Sequence, residues 1–241
     1  MINKEIREKY PSIGFDQLEK YMLSYQDRYY TSSHASKKKP DRLLGQNGIT
    51  FLLNSLQRSR YIFTGFIDCL NRAHVLLAFL AARAHFETTG SVAYFLRHLR
   101  KFYDGKISYE KLDNILYRLS LGGKTYPPKD THPKRPDPIN ILTQVDAADK
   151  LFAEMGGDDK PFRDCYDFLS EFCHPNFLGL TMGSEIVERN TVVYSEKIEF
   201  KEAYFGMLVN HMLGGCGFFF HIYDECFSLI GENEQIPKLI K

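Results

Sequence analysis

The sequence predicts a mainly α-helical protein. Apolar residues recur at intervals of three and four over most of the 241 residues, which is the spacing of one face of a helix. A hydrophobic fraction of 44%, with nineteen Phe and fifteen Tyr, is enough for a sizeable core and excludes a globally disordered chain. The length is near the upper limit for one hydrophobic core. We therefore expect a helical bundle formed by a single domain, residues 1–241.

The periodic segments predict the helices in chain order. They lie at residues 14–30, 48–86 (two helices or one long bent helix), 92–103, 108–119, 139–155, 161–174 and 201–230. Thr88, Thr89 and Gly90 predict a weak point after the central helix. Ser108 suits an N-cap. The glycines at 214, 215 and 217 of the last helix indicate a kink or close helix packing.

Two loops and one hairpin interrupt the helices. Loops are expected at 31–42 and at 122–138, where five prolines and a basic bias predict a flap over one helical layer. If RNA is a ligand, Lys134 and Arg135 in this flap contact it, and binding weakens steeply with salt. A β-hairpin is expected at 181–198, since β-branched runs flank a turn-forming pair in that segment.

Charge and cysteine content limit the class of protein. With 31 basic and 30 acidic residues, the net charge is +1, so no global field attracts nucleic acid or an anionic membrane. Five cysteines without a C-x-x-C spacing predict free thiols in a reducing cytosol. The start of the chain lacks the apolar region of a signal peptide. The longest apolar run, 75–82, is shorter than the roughly 20 residues that span a bilayer. We expect a cytoplasmic protein without a membrane partner.

The helix at 161–174 carries a polar stripe. Residues three or four apart share a helix face, and this rule aligns Arg163, Tyr166 (or Asp167), Ser170 and His174. Apolar residues flank the stripe on both sides. Because buried polar groups need partners, the stripe is expected to face another polar helix or a ligand.

The central helix offers a partner for this stripe. Arg83 and Glu87 lie four apart on an apolar helix. They form either an intrahelical ion pair, worth about 0.3–0.5 kcal/mol at a surface, or a buried network with Ser170 and His174. The sequence leaves both arrangements open.

Together these motifs resemble a known group of proteins. The pattern Arg83-x-x-x-Glu87, followed by Tyr166-x-x-x-Ser170-x-x-x-His174-Pro175, is similar to that of uncharacterised bacterial helical proteins in or near the HEPN superfamily. The resemblance covers roughly residues 60–180 and implies an α-helical bundle. Catalytic members of the wider superfamily are metal-independent endoribonucleases that act as dimers, often as toxins or phage-defence effectors. The resemblance therefore implies RNA or a nucleotide as ligand, an antitoxin or other protein partner, and a homodimer.

The sequence departs from the superfamily pattern in one respect. Catalytic members use an Arg and a His four to six residues apart on one helix, whereas Arg163 precedes His174 by eleven residues, about 16 Å along a helix axis. Arg83 is therefore the better phosphate ligand, with its planar fork of donors. His174 suits general acid–base chemistry, with Ser170 or Tyr166 orienting it. Arg163, Lys134 and Arg135 are expected to contact nucleic acid.

Other chemistries find less support in the sequence. Glu171-x-x-His174 matches half of a di-metal site, but no second Glu-x-x-His is present, so no metal is expected. Cys173 and His174 are adjacent, so their side chains diverge on a helix and do not suit a cysteine protease. No glycine-rich nucleotide-binding motif occurs, and no cofactor is expected. His211 and His221 on the last helix are expected to be core or surface residues.

Two functions follow from the sequence. The first is an RNA-cleaving enzyme in which Arg83 and His174 are central, while Glu87, Tyr166 and Ser170 support them. The second is a non-catalytic helical module for a nucleotide, a nucleic acid or a partner protein, in which the same polar set is a structural network.

Overall fold

The computed structural model describes residues 1–35, 42–123, 135–157, 159–195 and 202–241. Within these ranges the chain is mainly α-helical, with two small antiparallel sheets. The helices are α1 (Lys4–Lys9), α2 (Phe15–Asp27), α3 (Leu44–Asn71), α4 (Val75–Tyr103), α5 (Tyr109–Leu121), α6 (Ile141–Glu154), α7 (Pro161–Cys173), α8 (Phe177–Thr181) and α9 (Glu202–Asn233). The strands are β1 (Ser32–His34), β2 (Ser184–Glu188), β3 (Thr191–Tyr194) and β4 (Lys238–Ile240). The predicted helical class is confirmed.

Helix ends follow the capping residues of the sequence. Ser108 caps α5, since its hydroxyl accepts a hydrogen bond from the Lys111 amide, as predicted. Asn140 caps α6 in the same way. Pro161 is the first residue of α7, where its missing N–H costs nothing. The α4 helix ends at Tyr103, and Gly105 two residues later has a φ of +70°, which glycine adopts without strain.

The central helical region differs from the prediction. The break falls at Ala73, a non-glycine residue with a φ of +54°, between α3 and α4. No break occurs at Thr88, Thr89 and Gly90, because α4 runs through them. Gly90 instead allows close packing: a Cβ at this position would lie 2.9 Å from the backbone carbon of Gln144 in α6.

The two predicted loops and the hairpin have different outcomes. Part of the predicted 31–42 loop is a strand, because β1 pairs antiparallel with β4, Ser33 opposite Leu239. Residues 36–41 of this loop and 124–134 of the other lie outside the described residues. The hairpin is confirmed: β2 and β3 pair around the turn at 189–190, with a register irregularity between Ile186 and Glu188.

Contacts within the chain divide it into two compact units. Unit 1 comprises Met1–Arg28, Arg58–Phe86 and Pro161–Gly217, and unit 2 comprises Tyr29–Gln57, Glu87–Lys160 and Phe218–Lys241. The helices α3, α4 and α9 each contribute a segment to both units. The prediction of one domain over residues 1–241 stays a prediction.

Specific side-chain contacts stabilise each unit, an aromatic pair in unit 1 and a part-buried ion pair in unit 2. In unit 1, Tyr10 stacks on Phe205 with ring centroids 4.0 Å apart. In unit 2, Arg100 forms a two-pronged hydrogen bond to Glu225, with distances of 2.7 and 2.8 Å from Nε and Nη2 to the carboxylate oxygens. Such bidentate pairs fix side-chain geometry as well as contributing energy.

The last helix is the most apolar. Among the described residues, α9 is the helix that is long and apolar enough to cross a membrane, over Tyr204–Asn233. More than half of its most apolar window, 56%, is buried inside the protein. The core helix of a soluble protein can have the same length and composition. These properties therefore do not distinguish a membrane-spanning helix from a core helix. The expectation of no membrane partner stays a prediction.

Candidate functional site

The polar stripe on α7 runs from a buried to an exposed end. Tyr166 is 4% exposed, Ser170 is half-buried and His174 is exposed. His174 follows the last residue of α7 and precedes Pro175, which cannot continue the helix. The stripe therefore carries its ionisable imidazole at the surface and its phenol in the core of unit 1.

Arg83 of α4 reaches both ends of this stripe. Its Nη2 donates a hydrogen bond of 2.9 Å to the Tyr166 hydroxyl, and its Nη1 lies 3.4 Å from Nε2 of His174. The guanidinium carbon also lies 5.0 Å from the centre of the Tyr166 ring, within cation–π range. We call Arg83, Tyr166 and His174 the Arg83 cluster. Arg83 therefore meets His174 across the two helices, which is one contact of the network arrangement that the sequence left open.

Aromatic packing holds α4 and α7 together beside the cluster. Phe79, one turn before Arg83, stacks on Phe172 with ring centroids 4.1 Å apart and planes 15° apart. Phe86, on the other side of Arg83, lies 5.8 Å from Phe162. All four side chains are buried. The two buried aromatic pairs therefore hold α4 against α7 on both sides of Arg83 along α4.

The direction of the hydrogen bonds in the cluster follows from arginine chemistry. A guanidinium keeps its proton in proteins and only donates, so Nε2 of His174 accepts and the imidazole carries its proton on Nδ1 in this contact. The cluster places a permanent cation beside an exposed imidazole. An anion that takes the Arg83 donors would release the Nε2 lone pair for proton transfer.

Ser170 is bonded within α7, and its predicted role of orienting His174 stays a prediction. Its hydroxyl donates a 2.7 Å hydrogen bond to the Tyr166 carbonyl one turn earlier in α7. Serines in helices commonly return to this carbonyl. Tyr166 meets Arg83 rather than orienting His174 directly. The Ser170 bond therefore acts within α7, and the Tyr166 bond acts on Arg83.

The other predicted residues are Glu87, Arg163, Arg135 and Lys134. Glu87 is half-buried one turn after Arg83 and belongs to unit 2, so its predicted role stays a prediction. Arg163 forms an ion pair of 2.9 Å with Asp167 on the surface of α7. Arg135 is exposed, and Lys134 lies outside the described residues.

Metal ligands do not cluster in the part of the chain that the structure describes. No group of three His, Cys, Asp or Glu side chains is arranged there to hold an ion. The Glu171 carboxylate of the half motif accepts a hydrogen bond of 2.8 Å from Asn176. This bond ties Glu171 to the residue that caps α8.

A buried polar network around His85 was not predicted from the sequence. The Tyr25 hydroxyl lies 2.6 Å from Ser59 Oγ and 3.1 Å from His85 Nε2, and Ser59 Oγ lies 2.9 Å from the same nitrogen. Cys216 Sγ lies 3.5 Å from His85 Nε2. All four side chains are fully buried in unit 1. Burial lowers the pKa of His85 to about 3 and raises the pKa of Tyr25, so the network is neutral at physiological pH.

A second histidine contact was also not predicted from the sequence. Cys165 Sγ lies 3.1 Å from His211 Nδ1, between α7 and α9 in unit 1. The partners in both missed arrangements are far apart in the chain, 46 positions for this pair and 191 for Tyr25 and Cys216. No local spacing could have joined them. All five cysteines are free thiols.

Comparison with known proteins gives no further guide to this site. No protein-family model, no curated protein and no solved structure matches the chain. Function is therefore inferred from the geometry of its own residues.

Proposed function

We propose that the Arg83 cluster binds a phosphate of RNA and that His174 acts as the general base in cleavage of the chain. The contact of 3.4 Å between Arg83 Nη1 and His174 Nε2 carries this proposal. It sets a phosphate-binding cation beside a group suited to proton transfer near neutral pH. His174 is exposed, so a polymer can approach it from solvent.

Arg83 suits a phosphate because its fork is already positioned. The half-buried side chain is held by the Tyr166 hydroxyl on one side and by the face of the Tyr166 ring. A guanidinium held in this way offers parallel N–H donors to two phosphate oxygens without losing further side-chain entropy. It also neutralises the negative charge that develops on those oxygens during the reaction.

The proposed reaction is a transesterification within RNA. Nε2 of His174 takes the proton of the ribose 2′-hydroxyl, and the 2′ oxygen forms a bond to phosphorus. The bond from phosphorus to the 5′ oxygen breaks, and that oxygen takes a proton from solvent. The imidazolium then returns its proton to solvent. The products are a 2′,3′-cyclic phosphate and a free 5′-hydroxyl.

The test is cleavage of a labelled single-stranded RNA by the purified full chain in the presence of EDTA. The proposal predicts fragments that end in a cyclic phosphate, and an intact DNA strand of the same sequence, since DNA lacks the 2′-hydroxyl. RNA that stays intact between pH 6 and pH 8 would overturn it, as would equal cleavage of DNA. A toxin or phage-defence role, an antitoxin partner and a homodimer remain proposals that depend on this result.

The burial of Tyr166 favours a second candidate function, that of a non-catalytic binding module. A phenol that is 4% exposed and bonded to Arg83 joins α4 to α7 in unit 1. The protein would then be a helical binding module for a nucleotide, a nucleic acid or a partner protein, with the cluster as a structural network. In that case removal of either Arg83 or His174 lowers the melting temperature by several degrees.

A further inference from the structure

Cys165 and His211 form a thiol–imidazole pair apart from the Arg83 cluster contacts. The sulfur lies 3.1 Å from Nδ1, and both side chains are half-buried, so the pair is in reach of small molecules from solvent. Cys165 lies in the middle of α7, and His211 lies in the first half of α9. The two helices both belong to unit 1 at these positions.

The histidine of this pair is a neutral imidazole within hydrogen-bond reach of the thiol. Burial lowers the pKa of His211, so the imidazole is neutral near pH 7 and has a lone pair to offer. The Phe168 ring packs against the imidazole, with ring centroids 5.5 Å apart and planes at 68°. A nucleophile within hydrogen-bond reach of a base that a neighbour holds in place is the arrangement of an activated thiol.

The other cysteines provide an internal comparison. Burial raises the pKa of the Cys69, Cys216 and Cys226 thiols, and the last two are fully buried. These three are therefore poor nucleophiles at neutral pH. Cys173 is half-buried like Cys165 and lies two turns later in α7. It is the matched thiol for comparison.

We propose that Cys165 and His211 form a modification site for hydroperoxides and other small soft electrophiles. With a hydroperoxide, the thiol proton passes to Nδ1 of His211 and the sulfur attacks the terminal peroxide oxygen. A sulfur–oxygen bond forms and the oxygen–oxygen bond breaks. The leaving alkoxide or hydroxide takes the proton back from His211. Sulfur is oxidised by two electrons to a sulfenic acid, and the peroxide is reduced by two electrons to an alcohol or water. The site is independent of the proposed RNA cleavage.

Site-resolved alkylation of the native full chain tests the proposal. Iodoacetamide forms a sulfur–carbon bond as iodide leaves, and mass spectrometry of the digested protein gives the rate at each cysteine. Cys165 is expected to react at least about tenfold faster than Cys173 at pH 7, because the paired imidazole can take the thiol proton as the sulfur attacks. In a parallel sample, dilute hydrogen peroxide with dimedone should give its adduct at Cys165. Equal alkylation of Cys165 and Cys173 would overturn the proposal.

Two histidine variants test whether the Cys165 alkylation rate depends on His211 or only on solvent exposure of the thiol. His211→Asn should lower the Cys165 rate about tenfold, toward that of an unassisted thiol, while His221→Asn on the exposed face of α9 should leave it unchanged. An unchanged rate in folded His211→Asn would contradict the assignment. If melting shows that this variant does not fold, the comparison of Cys165 with Cys173 within the wild-type molecule decides the question alone.

Discussion

Arg83 Nη1 lies 3.4 Å from His174 Nε2, although 91 positions separate the two residues in the chain. The contact joins α4 to the end of α7 within unit 1. His174 is exposed, whereas Tyr166, the second partner of Arg83, is buried. Chemistry and stability should therefore separate in variants, with the reaction depending on His174 and the packing on Tyr166.

Replacing Arg83 by Lys tests the phosphate ligand. Lysine keeps the charge but lacks the planar fork, so it cannot hold Tyr166 and two phosphate oxygens in one geometry. Arg83→Lys should lower kcat/KM for RNA cleavage at least about tenfold, which corresponds to about 1.4 kcal/mol of transition-state stabilisation. Arg72→Lys, at an exposed position, is the control and should retain wild-type kcat/KM. An Arg83→Lys enzyme with unchanged kcat/KM would exclude a forked contact to phosphate.

Replacing Tyr166 by Phe removes one hydrogen bond and keeps the buried ring. The lost bond to Arg83 is 2.9 Å long, and such bonds contribute about 0.5–1.5 kcal/mol. The melting temperature should fall by about 2–4 °C for each kcal/mol at this chain length, measured by circular dichroism. Ser170→Ala is the control with a smaller expected effect, since its hydroxyl bonds only within α7. A Tyr166→Phe variant as stable as wild type would mean that the phenol does not hold Arg83.

The buried histidine predicts a pH dependence of stability. The pKa of His85 falls from 6.5 to about 3 on burial, so between these pH values the unfolded chain binds a proton that the folded chain does not. Stability therefore decreases as pH falls below 6.5, and no loss from this group occurs above that pH. At pH 5 the loss amounts to about 2 kcal/mol.

Urea unfolding at pH 7, 6 and 5 measures this dependence. The control is His85→Asn, which cannot take up the proton and should show a flatter profile, whatever its stability at pH 7. Parallel profiles for wild type and His85→Asn would show that His85 is not a neutral buried group.

The close packing of Gly90 predicts opposite effects for two glycine substitutions. A Cβ at Gly90 would meet the Gln144 backbone at 2.9 Å, so Gly90→Ala should destabilise by about 1–3 kcal/mol. Gly214 is exposed in α9, and a Cβ added there would have nothing within 4 Å apart from the neighbouring backbone of α9 itself. Gly214→Ala should therefore stabilise by about 0.5–1 kcal/mol through helix propensity. Urea unfolding of both variants checks the pair, and a stabilising Gly90→Ala would contradict the close approach of α6.

Local sequence signals predicted the elements better than their contacts. Apolar periodicity placed the long helices, and Ser108 and Pro161 marked two of their starts, because caps depend on a few neighbouring residues. Gly90 was taken as part of a weak point in the helix, whereas its small size allows the close approach of Gln144 in α6, 54 positions later in the chain. The strand at 32–34 was missed because its partner lies at the other end of the chain.

The candidate site was predictable in part. Spacing on one helix aligned Tyr166 with His174, and spacing on another singled out Arg83. The polar residues on the two helices made their pairing one of two open arrangements, and the direction of the Ser170 hydroxyl could not be read from spacing. The Cys165 and His211 contact and the His85 network depend on tertiary packing between distant helices. Each member, taken alone in the sequence, looks like an ordinary core residue.

The most direct test of the account compares His174→Ala with His221→Ala, two exposed histidines. RNA cleavage in EDTA and the melting temperature are measured on the same preparations. The account predicts that His174→Ala loses at least about a hundredfold in cleavage rate, the usual contribution of a general base, with a melting temperature within about 2 °C of wild type, because surface substitutions change stability little. His221→Ala should match wild type in both. Cleavage that survives in His174→Ala, or a fall of several degrees in its melting temperature with no cleavage by any of the proteins, would contradict a catalytic Arg83 cluster.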